Sequence, residues 1–282
     1  MNLHTIDTGF FKLDGGAMFG VVPRTMWEKL NPPDENNLCT WAMRSLLIED
    51  GSRLVLVDTG MGNKQDAKFR SHFHPHGEAT LEKSLQQLGY TTADITDVFL
   101  THLHFDHAGG AITRTPDDKL VLTFPNATYW SNQAHWDWAV QPNPREKASF
   151  LKENILPVQE SGHLQFVDPV AGVPNALPQL REIIFANGHT EQMMAPLMQY
   201  KGRTVAFMAD LLPSAAHVPL PYVMSYDMRP LVTMREKEDV LARAAAENWV
   251  LMLQHDPTHE CCTVQATDRG IRVAETFRLA DL

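Results

Sequence analysis

Cysteine is scarce: three residues in 282, Cys39 and the adjacent pair Cys261 and Cys262. One isolated residue and one neighbouring pair give neither a disulfide framework nor the spacing of a cysteine zinc site, so all three read as free thiols. Long apolar runs are missing too. No uninterrupted stretch approaches the roughly 20 residues that a membrane helix requires. Met1 to Gly16 is polar and broken by Asp and Gly, without the basic start and apolar middle of a secretory signal. Nor is there a basic excess: 34 acidic residues face 24 basic ones, for a net charge of −10, and the basic ones are scattered. Polyanionic partners would be repelled, which argues against nucleic acid and anionic membranes. Low-complexity tracts, short repeats and linker-like segments are also absent. These absences leave the expectation of a cytoplasmic chain folded as one domain over residues 1–282, acting on a small molecule as a monomer or homodimer.

What is present is a series of short apolar runs rich in β-branched and aromatic residues, which predict strands. They cover Met43 to Ile48, Arg53 to Val57, Val98 to Thr101, Leu164 to Val167, Glu182 to Phe185, Pro196 to Tyr200, Thr204 to Met208 and Trp249 to Leu253. Glu49 to Ser52 reads as a hairpin turn. Helices are predicted over Glu78 to Leu88, Ser131 to Val140, Arg145 to Asn154 and Met234 to Asn248, the last with Thr233 as N-cap. Strands alternating with helices in both halves favour a layered α/β architecture. The irregular segments Phe19 to Thr40 and Leu211 to Pro230 carry enough apolar residues to read as pocket walls rather than disorder.

Thirteen histidines are present, and their placement carries the chemistry. Thr101-His102-Leu103-His104-Phe105-Asp106-His107-Ala108-Gly109-Gly110 puts four metal-ligand side chains into six positions directly after an apolar run. A strand end entering a tight loop lets His102 and His104 grip one ion while Asp106 and His107 turn toward a second. The two glycines permit close backbone approach. Imidazole and carboxylate suit zinc and its first-row neighbours. Three further candidates, His189, Asp210 and His255, each follow a predicted strand, and the C-terminal ends of strands are where α/β sheets place ligands. His72, His74 and His76 lack carboxylates at ligand spacing and read as a surface loop. Trp130, Trp136 and Trp138 read as core residues of a helix.

The pattern H-x-H-x-D-H, followed in order by a single His, Asp and His, resembles the metallo-β-lactamase superfamily over most of the chain, from Leu46 onward. Leu56-Val57-Asp58-Thr59-Gly60 resembles the family's early strand and its turn Asp. The resemblance implies a four-layer αββα sandwich with a dinuclear centre at one edge. It implies one metal on His102, His104 and His189, a second on Asp106, His107 and His255, and Asp210 bridging both around a shared hydroxide. Asp58 is implied to orient a ligand histidine. Zinc is the default metal, with iron, manganese or cobalt as variants. Asp106 and Asp210 are the implied catalytic residues, Asp106 as proton carrier.

Several branches of the family are disfavoured. Secreted β-lactamases place a cysteine where Asp210 stands, glyoxalase II has a helical C-terminal extension, and ribonuclease Z a basic arm. Gly15 to Pro23 and Asp210 to Pro230 most resemble the quorum-quenching lactonases and methyl parathion hydrolases. The tyrosine that such lactonases carry three residues after the bridging aspartate is Pro213 here, so that role is vacant or moves to Tyr222 or Tyr226. Met18, Phe19, Trp27 and His217 are further candidate substrate contacts, with Met26 and Met224 for an acyl pocket; core packing is the alternative for the apolar residues and structural hydrogen bonding for His217. A lactonase or ester hydrolase is the resulting expectation, with a phosphotriesterase or a non-catalytic metal-retaining binding protein as alternatives.

Overall fold

The computed structural model describes residues 1–282. Fourteen strands run in chain order as β1 (Asn2–Asp14), β2 (Leu38–Asp50), β3 (Arg53–Val57), β4 (Asp97–Phe99), β5 (Ile112–Arg114), β6 (Leu120–Leu122), β7 (Thr128–Asn132), β8 (Leu164–Val167), β9 (Leu180–Ala186), β10 (Met193–Tyr200), β11 (Arg203–Phe207), β12 (Val250–Met252), β13 (Cys261–Thr267) and β14 (Gly270–Phe277). The helices are α1 (Gly15–Phe19), α2 (Arg24–Trp27), α3 (Ala67–Phe73), α4 (Leu81–Gln87), α5 (Phe105–Ala108), α6 (Gln133–Val140), α7 (Lys152–Glu160) and α8 (Pro230–Glu247). One sheet has the order β1-β2-β3-β4-β7-β8 and the other β14-β13-β12-β11-β10-β9, with β5 and β6 as a separate hairpin.

Alternation along the strands builds the layers. In β2 and β3, Leu46, Ile48, Val55 and Val57 join a core shared with Met194, Leu197, Phe207 and Leu251 of the opposite sheet. Their neighbours Leu47, Leu54 and Leu56 point the other way, onto Leu85 of α4, Trp136 of α6 and Val158 of α7. The opposite sheet is covered by α8 through Val240, Leu241 and Ala244. Helix, sheet, sheet, helix is the αββα sandwich. No helix is long and apolar enough to cross a membrane.

At one edge the two sheets are tied by backbone hydrogen bonds. Ala42 and Arg44 of β2 donate to the carbonyls of His255 and Gln254, both at 3.1 Å, and Met194 of β10 donates to Thr101 at 2.9 Å. The Arg44 guanidinium adds bonds to the carbonyls of Leu253, Asp256 and His259.

Several elements differ from the sequence expectation. β1 was not foreseen, because Gly9 and a register shift between Asp7 and Phe10 interrupt its alternation. Trp130 lies in β7, not in a helix; α6 begins only after Asn132, whose side chain caps it. Residues 145–149 form a turn, and the helix expected there begins at Lys152. Arg229, not Thr233, is the N-cap of α8, because Pro230 with its fixed φ starts the helix. Trp138 is half-buried, packs at the margin of the core, and donates to Glu146. Cys39, Cys261 and Cys262 are buried free thiols.

Candidate metal centre

The loop after β4 enters the sheet edge carrying His102, His104, Asp106 and His107, all buried. It presses against the turn that follows β3: a Cβ on Gly109 would fall 2.2 Å from the Met61 carbonyl oxygen, and one on Gly110 2.2 Å from that of Thr59. Only glycine permits that approach. Asp58 at the head of the turn has φ 58°, and Ala209, just before Asp210, has φ 44°. Non-glycine residues held in this left-handed region are strained, and here both sit next to the site.

Seven side chains converge as two groups of possible metal ligands, His102, His104, His189 and Asp210 in one, Asp106, His107 and His255 in the other. Asp210 reaches both. Its Oδ2 lies 3.1 Å from His189 Nε2, and its Oδ1 lies 3.0 Å from His255 Nε2 and 3.5 Å from His107 Nε2. Asp106 Oδ2 lies 3.8 Å from both His107 Nε2 and His255 Nε2.

Each histidine is held from behind, and that fixes which nitrogen faces inward. His104 Nε2 meets Glu146 at 3.1 Å, His107 Nδ1 meets Asp58 at 2.9 Å, and His189 Nδ1 meets Asp227 at 2.8 Å. His255 Nδ1 meets the Ala42 carbonyl at 2.8 Å. His102 Nδ1 lies 3.1 Å from the Thr101 hydroxyl, which itself donates to Asp58. These partners accept, so the outward nitrogen of each ring is the N–H and the inward one of a neutral ring is a lone pair. The inward nitrogens then face one another: His102 Nε2 to His104 Nδ1 at 3.1 Å, His104 Nδ1 to His189 Nε2 at 3.2 Å, and His107 Nε2 to His255 Nε2 at 3.2 Å. Lone pairs at that separation repel unless a cation lies among them. Asp210 Oδ1, buried and without a hydrogen bond, adds to the demand. Protonation is divided across the cluster. Burial opposes charge on His189 and His107, yet Asp210 raises His189 to about 10 and His107 well above its ordinary value, whereas burial and the neighbouring imidazoles lower His102, and burial lowers His104. A pair of divalent ions satisfies this donor set, and the residues present fit one.

Asp58, beside His107 Nδ1, also accepts from the Thr101 backbone at 2.8 Å and from Gln254 at 3.0 Å. Glu146, Asp227 and His135 were missed. Burial opposes ionisation of Glu146, but His104 holds it down at about 2. His135 accepts from the Leu103 backbone at 2.9 Å and so steadies the loop between His102 and His104. No spacing in the sequence marks these three. Helix α8 braces the second half of the site: Glu236 accepts from the backbone of Asn187 and Gly188 just before His189. Lys237 donates to the carbonyls of His217, Pro219 and Tyr222 at 2.9–3.0 Å.

A cavity of about 360 Å³ opens above the two groups. Met18, Met224 and Tyr226 line it, as expected. Phe19, Trp27, His217 and Tyr222 do not. Phe19 stacks on Trp27 at 5.2 Å and on His217 at 4.7 Å, and meets Tyr222 edge-on at 6.1 Å, so these four form the packing behind the wall. His217 is saturated by the Ser214 hydroxyl and the Met18 carbonyl, which corrects its expected role as a substrate contact. Met26 is an exposed surface residue. His72, His74 and His76 are exposed and stand apart from both groups; His76 stacks on Phe10.

Residues 44–174 match the family model of the metallo-beta-lactamase superfamily. The chain as a whole has the metallo-β-lactamase fold. Among solved structures it is similar to a probable metal-dependent hydrolase from Staphylococcus aureus, with 27% identity, TM-score 0.87, and coverage of 98% of this chain and 96% of the other. AidC, a dizinc quorum-quenching lactonase solved with a product, shares the fold with 21% identity, TM-score 0.78, and coverage of 98% and 95%. A probable metallo-hydrolase of Mycobacterium bovis is 38% identical over 90 residues, and that stretch spans 29% of each protein.

Proposed function

We propose that this protein is a metal-dependent hydrolase of small esters, with lactones such as N-acyl homoserine lactones as the first substrate class. The observation that carries the reading is the set of five inward imidazole nitrogens, fixed by outward partners, closing on Asp210. His102, His104 and His189 would hold one ion and Asp106, His107 and His255 a second, with Asp210 within reach of both groups. Two bound divalent ions, zinc by default, would supply hydroxide near neutral pH and polarise the oxygen of the scissile bond. Asp106 lines the cavity and is the carboxylate placed to take and return the proton. Of the two candidate tyrosines, only Tyr226 lines the cavity, so it replaces the tyrosine that Pro213 displaces. Burial, with Asp14 and Asp106 nearby, pushes its phenol up to about 12, so it keeps its proton and donates. The similarity to AidC, whose structure holds N-hexanoyl-homoserine product, supports the lactone choice.

The test is a panel of lactones, aryl esters, phosphotriesters and thioesters on metal-analysed protein. Lactone turnover lost on chelation and regained with metal is expected. Phosphotriester turnover without lactone turnover moves the assignment to the methyl parathion hydrolase type. Metal uptake without turnover of any class leaves a binding protein.

A further inference from the structure

The cavity rim carries a feature that a neutral acyl lactone does not use. Arg145 lines the cavity and is exposed there. Its guanidinium donates once, to the Ser225 carbonyl, and its backbone N–H is held by Asn143 at 2.9 Å. No carboxylate lies within ion-pair distance of it, although most of the chain's other arginines are paired. The nearby carboxylates are committed elsewhere: Glu146 to His104, Trp138 and Asn143, and Asp210 to the histidine cluster. Beside Arg145 on the same rim, the Ser225 hydroxyl has no hydrogen-bond partner within the protein, and Ser225 lines the cavity. One side of the mouth thus offers free donors, the remaining N–H groups of the guanidinium and this hydroxyl. The wall below it is apolar, with Leu13, Met18, Phe73 and Met224.

We infer that Arg145 receives an anionic oxygen group, a carboxylate, at the end of the substrate remote from the scissile bond. An ionised carboxylate only accepts hydrogen bonds, and the planar guanidinium fork matches its two oxygens. The apolar wall takes the body between that group and the reacting centre. This cation also matters for capture. The chain bears a net charge of −10, so an anion approaching it is repelled until a local positive group lies within about 10 Å, the screening length. The inference rests on the proposed hydrolase reading and narrows it, from simple acyl lactones to esters or lactones that carry an acid.

The experiment compares substrate pairs identical except that the remote end is a free carboxylate or its methyl ester. For the wild-type protein, kcat/KM is expected to favour the acid by roughly 10-fold to 100-fold, mostly through KM, and the preference is expected to shrink as salt rises. Arg145→Gln should bring the ratio near one, and Arg145→Lys should recover part of it. A third pair ending in a phosphate monoester separates a general oxyanion site from a carboxylate site: preference for the phosphate over the carboxylate overturns the carboxylate assignment. A wild-type ratio near one, or a ratio that survives Arg145→Gln, overturns the inference outright. Calorimetric binding of adipate to the metal-loaded protein gives a readout free of turnover. Adipate binding that weakens in Arg145→Gln, with no ester hydrolysed, keeps the anion site and rejects the hydrolase reading. Hydrolysis of lactones with adipate binding indifferent to Arg145 does the reverse. Melting temperatures of both variants near wild type establish that the loop tied to Ser225 is intact.

Discussion

The two halves of the chain supply the centre differently. The first half gives four side chains, His102, His104, Asp106 and His107, from one loop after β4, and that single loop serves both groups. The second half gives one side chain at a time, His189 after β9, Asp210 after β11 and His255 after β12. A contiguous loop is positioned by local backbone geometry, with Gly109 and Gly110 seated on the β3 turn. Isolated strand-end residues depend on sheet register and on individual braces: Asp227 for His189, the Ala42 carbonyl for His255, and the strained φ of Ala209 for Asp210. Damage in the first half should therefore disturb both ions, and damage in the second half one. Asp210, which alone reaches both groups, is the exception.

The exception gives the largest effect. Asp210→Asn should lose one metal equivalent and lower turnover by at least about 100-fold, since the shared carboxylate acts on both sides of the centre. Elemental analysis beside steady-state rates checks this; wild-type metal content and rate would contradict the spanning role. Next come the braces. Asp227→Asn should weaken metal binding by roughly 10-fold to 100-fold at one ion only, whereas Glu146→Gln, which loosens His104 in the shared loop, should weaken both ions by a similar factor. Asp58→Asn should weaken both ions, because Asp58 holds His107 and also Thr101 beside His102. Competition with a chelating dye, read as two separate affinities, decides it. Equal loss at both ions for Asp227→Asn would erase the contrast between the halves.

Lys237→Met sharpens the same contrast through stability. Three carbonyls, one buried and two part-buried, would lose their donor, costing about 2–5 kcal/mol in urea unfolding. A change under about 0.5 kcal/mol would show that the loop over residues 217–222 stands without it. At neutral pH the smallest effect is that of His217, which acts only as the solution is acidified. Burial lowers its pKa from 6.5 to about 3, so between those values the unfolded chain takes up a proton that the folded chain refuses. Stability therefore falls as pH drops from 6.5 toward 3, by up to about 1.4 kcal/mol per pH unit from this group. His217→Gln should flatten the acid limb by that slope; an unchanged limb would mean that His217 is charged inside the fold.

The first half's loop was legible because ligand types, spacing and glycines all fall within ten consecutive residues. His189, Asp210 and His255 were legible only as a set, each after a strand whose apolar run was itself visible. Glu146 and Asp227 were not. They come from a turn and a loop, and nothing in a one-dimensional pattern separates a carboxylate that grips an imidazole from one in solvent. The layered α/β class is legible in strand runs that alternate with helical patterns, and the αββα order in the family resemblance, whereas β1 is not legible because its register shift and Gly9 interrupt its pattern. For Phe19, Trp27 and His217 the sequence leaves pocket wall and internal packing equally open, because the chemistry that suits an apolar ligand also suits stacking of these rings on one another, and the fold selects the packing.

The backbone bonds that stitch the sheets together at Ala42, Arg44 and Met194 run directly through residues adjoining the ligands. Releasing an ion by swinging His255 or the His102 loop outward would mean unzipping that stitching first, so metal escape becomes a partial unfolding event rather than a side-chain motion. Amide exchange at those three positions and the rate of metal loss should then rise and fall together, as two clocks driven by one opening.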